Sequence, residues 1–535
     1  MKKESTLYEA ILQTASLYPR RDALIYLNKK ISHEELLLKI QKLSAGLLAY
    51  GIKKDDVVTV CLPNIPHAIY LLYALNQIGA IANLIHPLIK LTQMKNILKQ
   101  TKSKYLFMLD TSYLEFLSLK EEGIHLFSCS PTDFMSIFVK VFYYLKNASL
   151  LKKIKKEDQV ISLYEYEVNL VYDQDYRKDA LYLHSGGTGG EPKVIALSSY
   201  SVNALSSNGL NILGIKEIKN KYMLAVLPLF HGFGLCMGVH ACLSLGMANT
   251  LMPKFNADQV IKYIKKEQLS FIIGVPVLFE NLLKNKKFAG YHLKNLKIAF
   301  VGGDFSHATL FDRFNEVMIK YGSSCRLYEG YGLTEVVTVC SVNNKTHYKK
   351  GTVGKMLPNT KMKVMSLDGK ENLGFNQDGE LYVSGETLMN GYRFLKEGEK
   401  QPFVKDKDGT IWVPTGDFGA LDQDNFVYFK QRLKRIIKVS GVNIFPNEIE
   451  VLVSSLKEVY ECAVVPKDDE KLGQVLKLFI VLDHNYENIK LDEKVKELIL
   501  NNASIYAVPK EIVYLKQLPK TLVGKIDTIA LEKMN

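Results

Sequence analysis

No two cysteines in this chain are spaced Cys-x-x-Cys, and the seven present (Cys61, Cys129, Cys236, Cys242, Cys325, Cys340, Cys462) are odd in number and scattered. This pattern argues against a disulfide framework or a zinc site and for a reducing compartment. Nor does any segment reach the ~18–20 consecutive apolar residues of a membrane-spanning helix. The nearest, Leu71 to Ile89, is interrupted by Asn76, Gln77, Asn83 and His86. The opening residues run from Met1-Lys2-Lys3 into polar, helix-like sequence without an apolar core, so no signal peptide is visible. A soluble, cytoplasmic protein is expected. Internal repeats and low-complexity tracts are also lacking.

What is present is an ordinary globular composition, 47% apolar and 23% charged, in 535 residues. That length exceeds what one core supports, so two or more domains are expected. The net charge of +13 is the compositional oddity. Basic residues are mostly dispersed and no recognition module is visible, so nucleic acid is not an expected partner. The exception is residues 134–156, where six lysines and no acid are interleaved with Phe134, Ile137, Phe138, Val141, Phe142 and Tyr143. Two readings stand: a basic amphipathic helix making peripheral contact with an anionic membrane, or a surface helix with a solvated lysine face.

Helical periodicity over Leu7 to Tyr18, His33 to Tyr50 and Asn64 to Ile78 alternates with strand-like runs at Val57 to Cys61, Tyr105 to Leu109, Phe271 to Gly274 and Ile298 to Val301. This predicts an α/β fold of sheets layered with helices. From about residue 350 short strands with Gly and Asp turns predict a β-rich subdomain: Lys361–Met365, Glu380–Ser384, Ile411–Pro414 and Phe426–Phe429. The last hundred or so residues carry their own helix and strand patterns, predicting a small separate domain.

Chemistry concentrates in six clusters. Ser185-Gly186-Gly187-Thr188-Gly189-Gly190-Glu191-Pro192-Lys193 lies between two apolar runs. Its glycines would let backbone N–H groups converge on an anion, with Thr188 and Lys193 adding a hydroxyl and a charge. Pro192 before the Lys rules out a Walker loop and stands where the dinucleotide fingerprint needs glycine. A simple glycine-rich hairpin is the other reading. His231 sits in Pro228-Leu-Phe-His-Gly-Phe-Gly234, after a strand and before an apolar helix, as a pocket residue or a buried structural one. Tyr328 to Glu335 combines an aromatic, two glycines, Thr334 and Glu335. Thr415-Gly416-Asp417 follows a predicted strand and reads as a turn or a ribose-binding carboxylate. Gln431 to Gly441 reads as a basic linker, and Lys525 as a turn lysine near the C-terminus.

In this order, the clusters strongly resemble the adenylate-forming (AMP-binding) superfamily, specifically its acyl-CoA synthetase branch. The resemblance covers the chain from about residue 7 onward. It implies a large N-terminal domain (1–430) of two layered α/β subdomains plus a distorted β-barrel, and a small mobile α+β C-terminal domain (431–535). It implies ATP-dependent activation of a fatty or aryl acid to acyl-AMP, then transfer to CoA; loading of a carrier protein, or a degenerate nucleotide binder, are the alternatives.

The resemblance also assigns roles. Ser185 to Gly190 and Lys193 would wrap the phosphates of ATP, with Thr188 as donor. Tyr331 and Gly332 would hold adenine on one face, and Gly302 and Gly303 on the other. Thr334 would bond the α-phosphate and Glu335 would hold Mg²⁺. Asp417 and Arg432 would bind the ribose, and His231 would gate the acid pocket. Lys525 would serve the adenylation step; Lys434 would be the hinge that brings Lys438, Ser440 and Gly441 to CoA. Gly189, Val194 and Gln431 depart from the usual Thr, Gly, and Gly or Asp. His231 stands where amino-acid-activating relatives carry Asp, which favours an acid without an α-amine.

Overall fold

The computed structural model describes residues 2–166, 172–185, 192–218, 221–304, 306, 308–483, 486, 489–521 and 525–534, with Glu157 described in its backbone alone. Local signals set the first elements. Thr6 and Glu9 form a reciprocal capping box at the start of Leu7–Leu17, and Ser32 and Glu35 repeat it for His33–Tyr50, which ends at Gly51 in the left-handed region. Pro66 opens the buried helix Pro66–Gln77, where its missing N–H costs nothing.

Four sheets organise the described residues. Six strands of the nine-stranded sheet are parallel, in the order Leu327–Tyr331, Ile298–Val301, Phe271–Gly274, Tyr222–Ala225, Ala248–Leu251, Asp22–Tyr26; short antiparallel strands close both edges. The seven-stranded sheet has a parallel core of Asp179–His184, Ile81–Leu84, Val57–Cys61, Tyr105–Leu109 and His125–Cys129. On that core Val194–Ser198 and then Gly391–Arg393 add as antiparallel strands. One large apolar core joins these two sheets through Pro66–Gln77, whose twelve residues are all buried.

The β-rich part is a five-stranded antiparallel sheet around Thr360–Met365, Gly379–Gly385 and Ile411–Leu421. A final sheet, built on Val459–Asp469 and Gly473–Leu482, has its own apolar core with Ile449, Val453, Val495 and Ile499. The protein is thus α/β, with a large N-terminal part and a small C-terminal domain.

Two local readings change. Ile411–Leu421 runs straight through Thr415-Gly416-Asp417, and Val427–Arg432 extends to the expected linker. Gly416 accommodates this with φ of 69° inside the strand, and a register irregularity follows at Phe418/Gly419. Asp417 thereby comes directly opposite Arg432.

Candidate active site

Most of the candidate groups lie at the ends of strands and in the turns that follow them, where side chains and backbone of an open α/β sheet converge. The glycine loop Gly186 to Gly190 lies outside the described residues; its stem does not. Ser185 N–H donates to the Lys193 carbonyl at 3.0 Å and Lys193 N–H to Ser185 Oγ at 2.9 Å, closing the hairpin between Asp179–His184 and Val194–Ser198.

The Lys193 ammonium lies 4.7 Å from the centre of the Tyr392 ring, and the Tyr392 hydroxyl donates to Glu335 Oε1 at 3.0 Å. Tyr392 thus bridges the loop stem and Glu335. Burial and the Glu335 charge raise its phenol pKa, so it remains a donor. Nothing local in the sequence marks Tyr392, which reaches the site only because Gly391–Arg393 pairs with Val194–Ser198.

Thr334 and Glu335 form a single 3₁₀ turn, Thr334–Val336. Immediately after it Val337 has φ of 68° and Thr338 φ of 150°, a conformation costly for β-branched residues and held by its surroundings. Gly332 is what lets that turn fold back: a Cβ there would stand 1.8 Å from the Thr338 carbonyl oxygen.

Asp417 is wholly buried, with Oδ2 accepting from the Tyr331 hydroxyl at 2.7 Å and Oδ1 2.9 Å from Arg432 Nε. Its backbone N–H donates to Thr415 Oγ1 at 3.0 Å, and that hydroxyl donates to the Leu381 carbonyl at 2.7 Å. Burial raises the Asp417 pKa; Arg432 and the Tyr331 hydroxyl oppose that rise.

Tyr331 also lines a narrow cavity of ≈ 50 Å³ with Gly302, Gly303, Phe233, Met237 and Phe300. Of the apolar helix after His231, Met237 lines this cavity while Leu235, Cys236, Val239 and Ala241 join the core. The segment Phe233–His240 is a π-helix, a winding often found at functional sites.

Lys525 arrives from the C-terminal domain on a hairpin closed by the Lys520–Ile526 bridge and by Thr521 N–H donating to the Lys525 carbonyl at 2.7 Å. Its side chain keeps solvent access, yet the protein around it lowers the ammonium pKa; Asp304 opposes this, Arg432 reinforces it and Asp417 opposes it. Burial first, then Lys525 and His86, pull His231 down to about 4, and among the described residues His231 Nε2 is buried without a hydrogen-bond partner. The structure therefore gathers Asp417, Arg432 and His231 within electrostatic reach of Lys525.

Lys434 is exposed on the turn Leu433–Arg435, between Arg432 on Asp417 and Arg435, whose Nη2 lies 2.6 Å from Glu450 Oε1. Ser440 (φ 50°) and Gly441 (φ 82°) are the two-residue turn of the hairpin Ile437–Val439 and Val442–Ile444, a primed turn that glycine suits. Lys438, Ser440 and Gly441 are all exposed there.

A further titratable group was missed in the sequence. Glu329, on the strand beside Val301, has its carboxyl pushed up to about 8 by burial, with the Ser306 hydroxyl pulling the other way. The native state therefore keeps a proton that an unfolded Glu releases near 4.5, and stability falls as pH rises from there to about 8. The fall is at most about 1.4 kcal/mol per pH unit. Glu329→Gln should flatten the decline in melting temperature between pH 5 and pH 9; an unchanged slope would show that Glu329 does not titrate there.

The family model for AMP-binding enzymes matches residues 11–393, and that for the AMP-binding enzyme C-terminal domain matches 448–525. The chain belongs to the AMP-binding enzyme family. Among its relatives, a long-chain-fatty-acid–CoA ligase of Bacillus subtilis is 27% identical over 97% of this chain and 93% of that protein. 4-Coumarate–CoA ligase 3 of Arabidopsis thaliana is 27% identical over 93% and 85%. The fold matches ATP-bound MatB from Rhodopseudomonas palustris with a TM-score of 0.85 at 19% identity, over 100% and 99% of the two chains. It matches a benzoate CoA ligase from Burkholderia xenovorans with a TM-score of 0.83 at 18% identity, over 99% and 100%. At these identities the structural likeness establishes the fold alone.

Proposed function

We propose that this member of the family activates an apolar carboxylic acid, fatty or aryl, with ATP and then transfers the acyl group to CoA. The observation that carries this reading is the placement of Lys525. The C-terminal domain brings it into electrostatic reach of Asp417 and His231, and Asp417 is bonded to Tyr331 in the wall of an apolar cavity. The described lining offers no cation to a second carboxylate and no anion to an α-ammonium.

In the first step a substrate carboxylate oxygen forms a bond to the α-phosphorus, and the α-phosphorus–oxygen bond to pyrophosphate breaks. Lys525 offsets the repulsion between the two anions and the charge that builds between them. Loop 185–193 holds the departing phosphates, Thr334 bonds the α-phosphate, and Asp417 with Arg432 fixes the ribose. Tyr331 and Gly332 hold adenine against Gly302 and Gly303. His231, neutral at physiological pH, admits the carboxylate without trapping it as an ion pair.

Glu335 is a hard oxygen donor joined through Tyr392 to the stem of the phosphate loop, a setting that suits Mg²⁺ held largely by phosphates and water. The ion would neutralise phosphate charge there. In the second step the CoA sulfur attacks the acyl carbonyl, AMP leaves and the thiol proton is released. Lys434 would act as hinge; what supports this is that Arg432 on one side is paired with Asp417 and Arg435 on the other with Glu450 of the C-terminal domain. Rotation there would exchange Lys525 for Lys438, Ser440 and Gly441, with residues 1–430 and 431–535 as the moving bodies. Seven free, buried cysteines fit a cytoplasmic setting.

Supplying ATP, Mg²⁺, an acid and CoA should yield AMP and acyl-CoA in equal amounts. Thioester formed only on an acyl carrier protein would refute the CoA half of the proposal while leaving the adenylation half intact.

A further inference from the structure

The helix Ile137–Leu151 contains no buried residue. Its large apolar side chains face solvent: Phe138 is 85% exposed, Leu145 74%, Ile137 71% and Phe142 67%. With Val141, they fall within an arc of about 140° at 3.6 residues per turn. The opposite side is fastened to the protein. Tyr143 donates its hydroxyl to Asp110 Oδ1 at 2.5 Å, and Leu150 and Leu151 pack on the core around Met94 and Phe116. The apolar arc is therefore held outward by tertiary contacts.

Contiguous apolar surface of this kind on a folded protein marks an interaction site. Charge selects the occupant. Residues 134–156 contain six lysines and no acid. Lys146 borders the arc, and Lys152, Lys153 and Lys156 are exposed just beyond its end. Of the nearby carboxylates, Asp110 is engaged by Tyr143, Asp133 lies 3.1 Å from His67, Asp158 is held by Lys120 and Tyr113, and Glu165 lies 3.7 Å from Lys156, which leaves Lys146, Lys152 and Lys153 to supply the positive charge. A second copy docked across a two-fold axis would bring these lysines against their own kind.

We propose that Ile137–Leu151 is a membrane-surface anchor that lies in the headgroup layer of an anionic phospholipid bilayer. Ile137, Phe138, Val141, Phe142 and Leu145 insert among the acyl chains, and the lysines meet lipid phosphates. Fifteen residues at ~1.5 Å each give ~22 Å, too short for the ~30 Å hydrocarbon core, so the helix rests on the bilayer and does not cross it. This inference is independent of which acid the enzyme activates.

The test is co-sedimentation of the full-length protein with vesicles of phosphatidylcholine alone and of an equal mixture with phosphatidylglycerol. The protein should bind the mixed vesicles, release in high salt, and bind the neutral ones weakly. The triple variant Phe138→Glu, Phe142→Glu, Leu145→Glu should lose at least about tenfold in partitioning. Lys146→Glu, Lys152→Glu, Lys153→Glu should lose about as much on mixed vesicles and little on neutral ones, and carries the test alone if the apolar variant misfolds. Light scattering supplies the other arm: a wild-type dimer that the apolar variant makes monomeric, with no vesicle binding, would assign the face to a second copy and overturn the proposal. Wild-type binding that neither variant weakens would overturn it equally.

Discussion

Lys525→Ala is expected to lose adenylate formation by at least ~10²–10³-fold, the scale set by removing one preorganised group that stabilises transition-state charge, while still converting supplied acyl-adenylate and CoA to thioester. Lys525 is carried by a hairpin whose stem is fixed by Thr521 and the Lys520–Ile526 bridge, so its location depends on how the C-terminal domain sits. In this arrangement its field reaches Asp417 and His231, and unlike them it comes from the C-terminal domain. A cation at the carboxylate–phosphate junction matters while two anions approach, but not when a thiol attacks a neutral acyl carbonyl. Lys525→Arg should recover part of the first half-reaction, because charge is kept while its placement shifts. Equal loss of both half-reactions, or a fall in melting temperature large enough to account for the loss, would remove Lys525 from this role.

Asp417→Asn should raise the KM for ATP by about 10–100-fold, as expected when a charged hydrogen-bonding group worth ~1.5–3 kcal/mol is replaced. Stability should move the other way. Burial raises the Asp417 pKa, so the folded protein disfavours the ionised carboxylate relative to the unfolded chain. That unfavourable contribution grows as pH rises through the unfolded and then the folded pKa. Asparagine keeps the shape and can still accept from Tyr331, so the variant should melt at the same temperature or higher at pH 7. A residue retained at a cost in stability is what a binding site requires. Thermal melts alongside ATP titration separate the cases: an Asn variant that is less stable with an unchanged KM would make Asp417 structural.

The strands Val57–Cys61, Tyr105–Leu109, Phe271–Gly274 and Ile298–Val301 have the bounds that their apolar runs predict, because each is buried in a parallel sheet. Thr415-Gly416-Asp417 misled for a physical reason: Gly-Asp signals a turn locally, but pairing of Pro414 and Phe418 on one side and of Asp417 with Arg432 on the other holds the three residues as an irregularity within a long strand, with one left-handed glycine. The basic run from Gln431 concealed a strand end, since only cross-strand register reveals that Arg432 faces Asp417. Tyr392 and Glu329 were illegible in their own surroundings. Tyr392 meets Glu335 across 57 residues of sequence, and the environment of Glu329 includes Ser306 from the turn after another strand. Resemblance of ordered motifs supplied the roles; it could not supply these neighbours. The acyl pocket was the least legible part, because the run after His231 is apolar throughout, and only the structure shows that Phe233 and Met237 line the cavity while Leu235, Cys236 and Val239 do not.

The most direct test of the whole account is acid-dependent exchange of labelled pyrophosphate into ATP. The purified protein with ATP and Mg²⁺ should incorporate label only when an apolar monocarboxylate is present, across a panel from acetate through long-chain fatty acids to aromatic acids, and without any need for CoA. No exchange with any acid on that panel would contradict adenylation as the chemistry of this site.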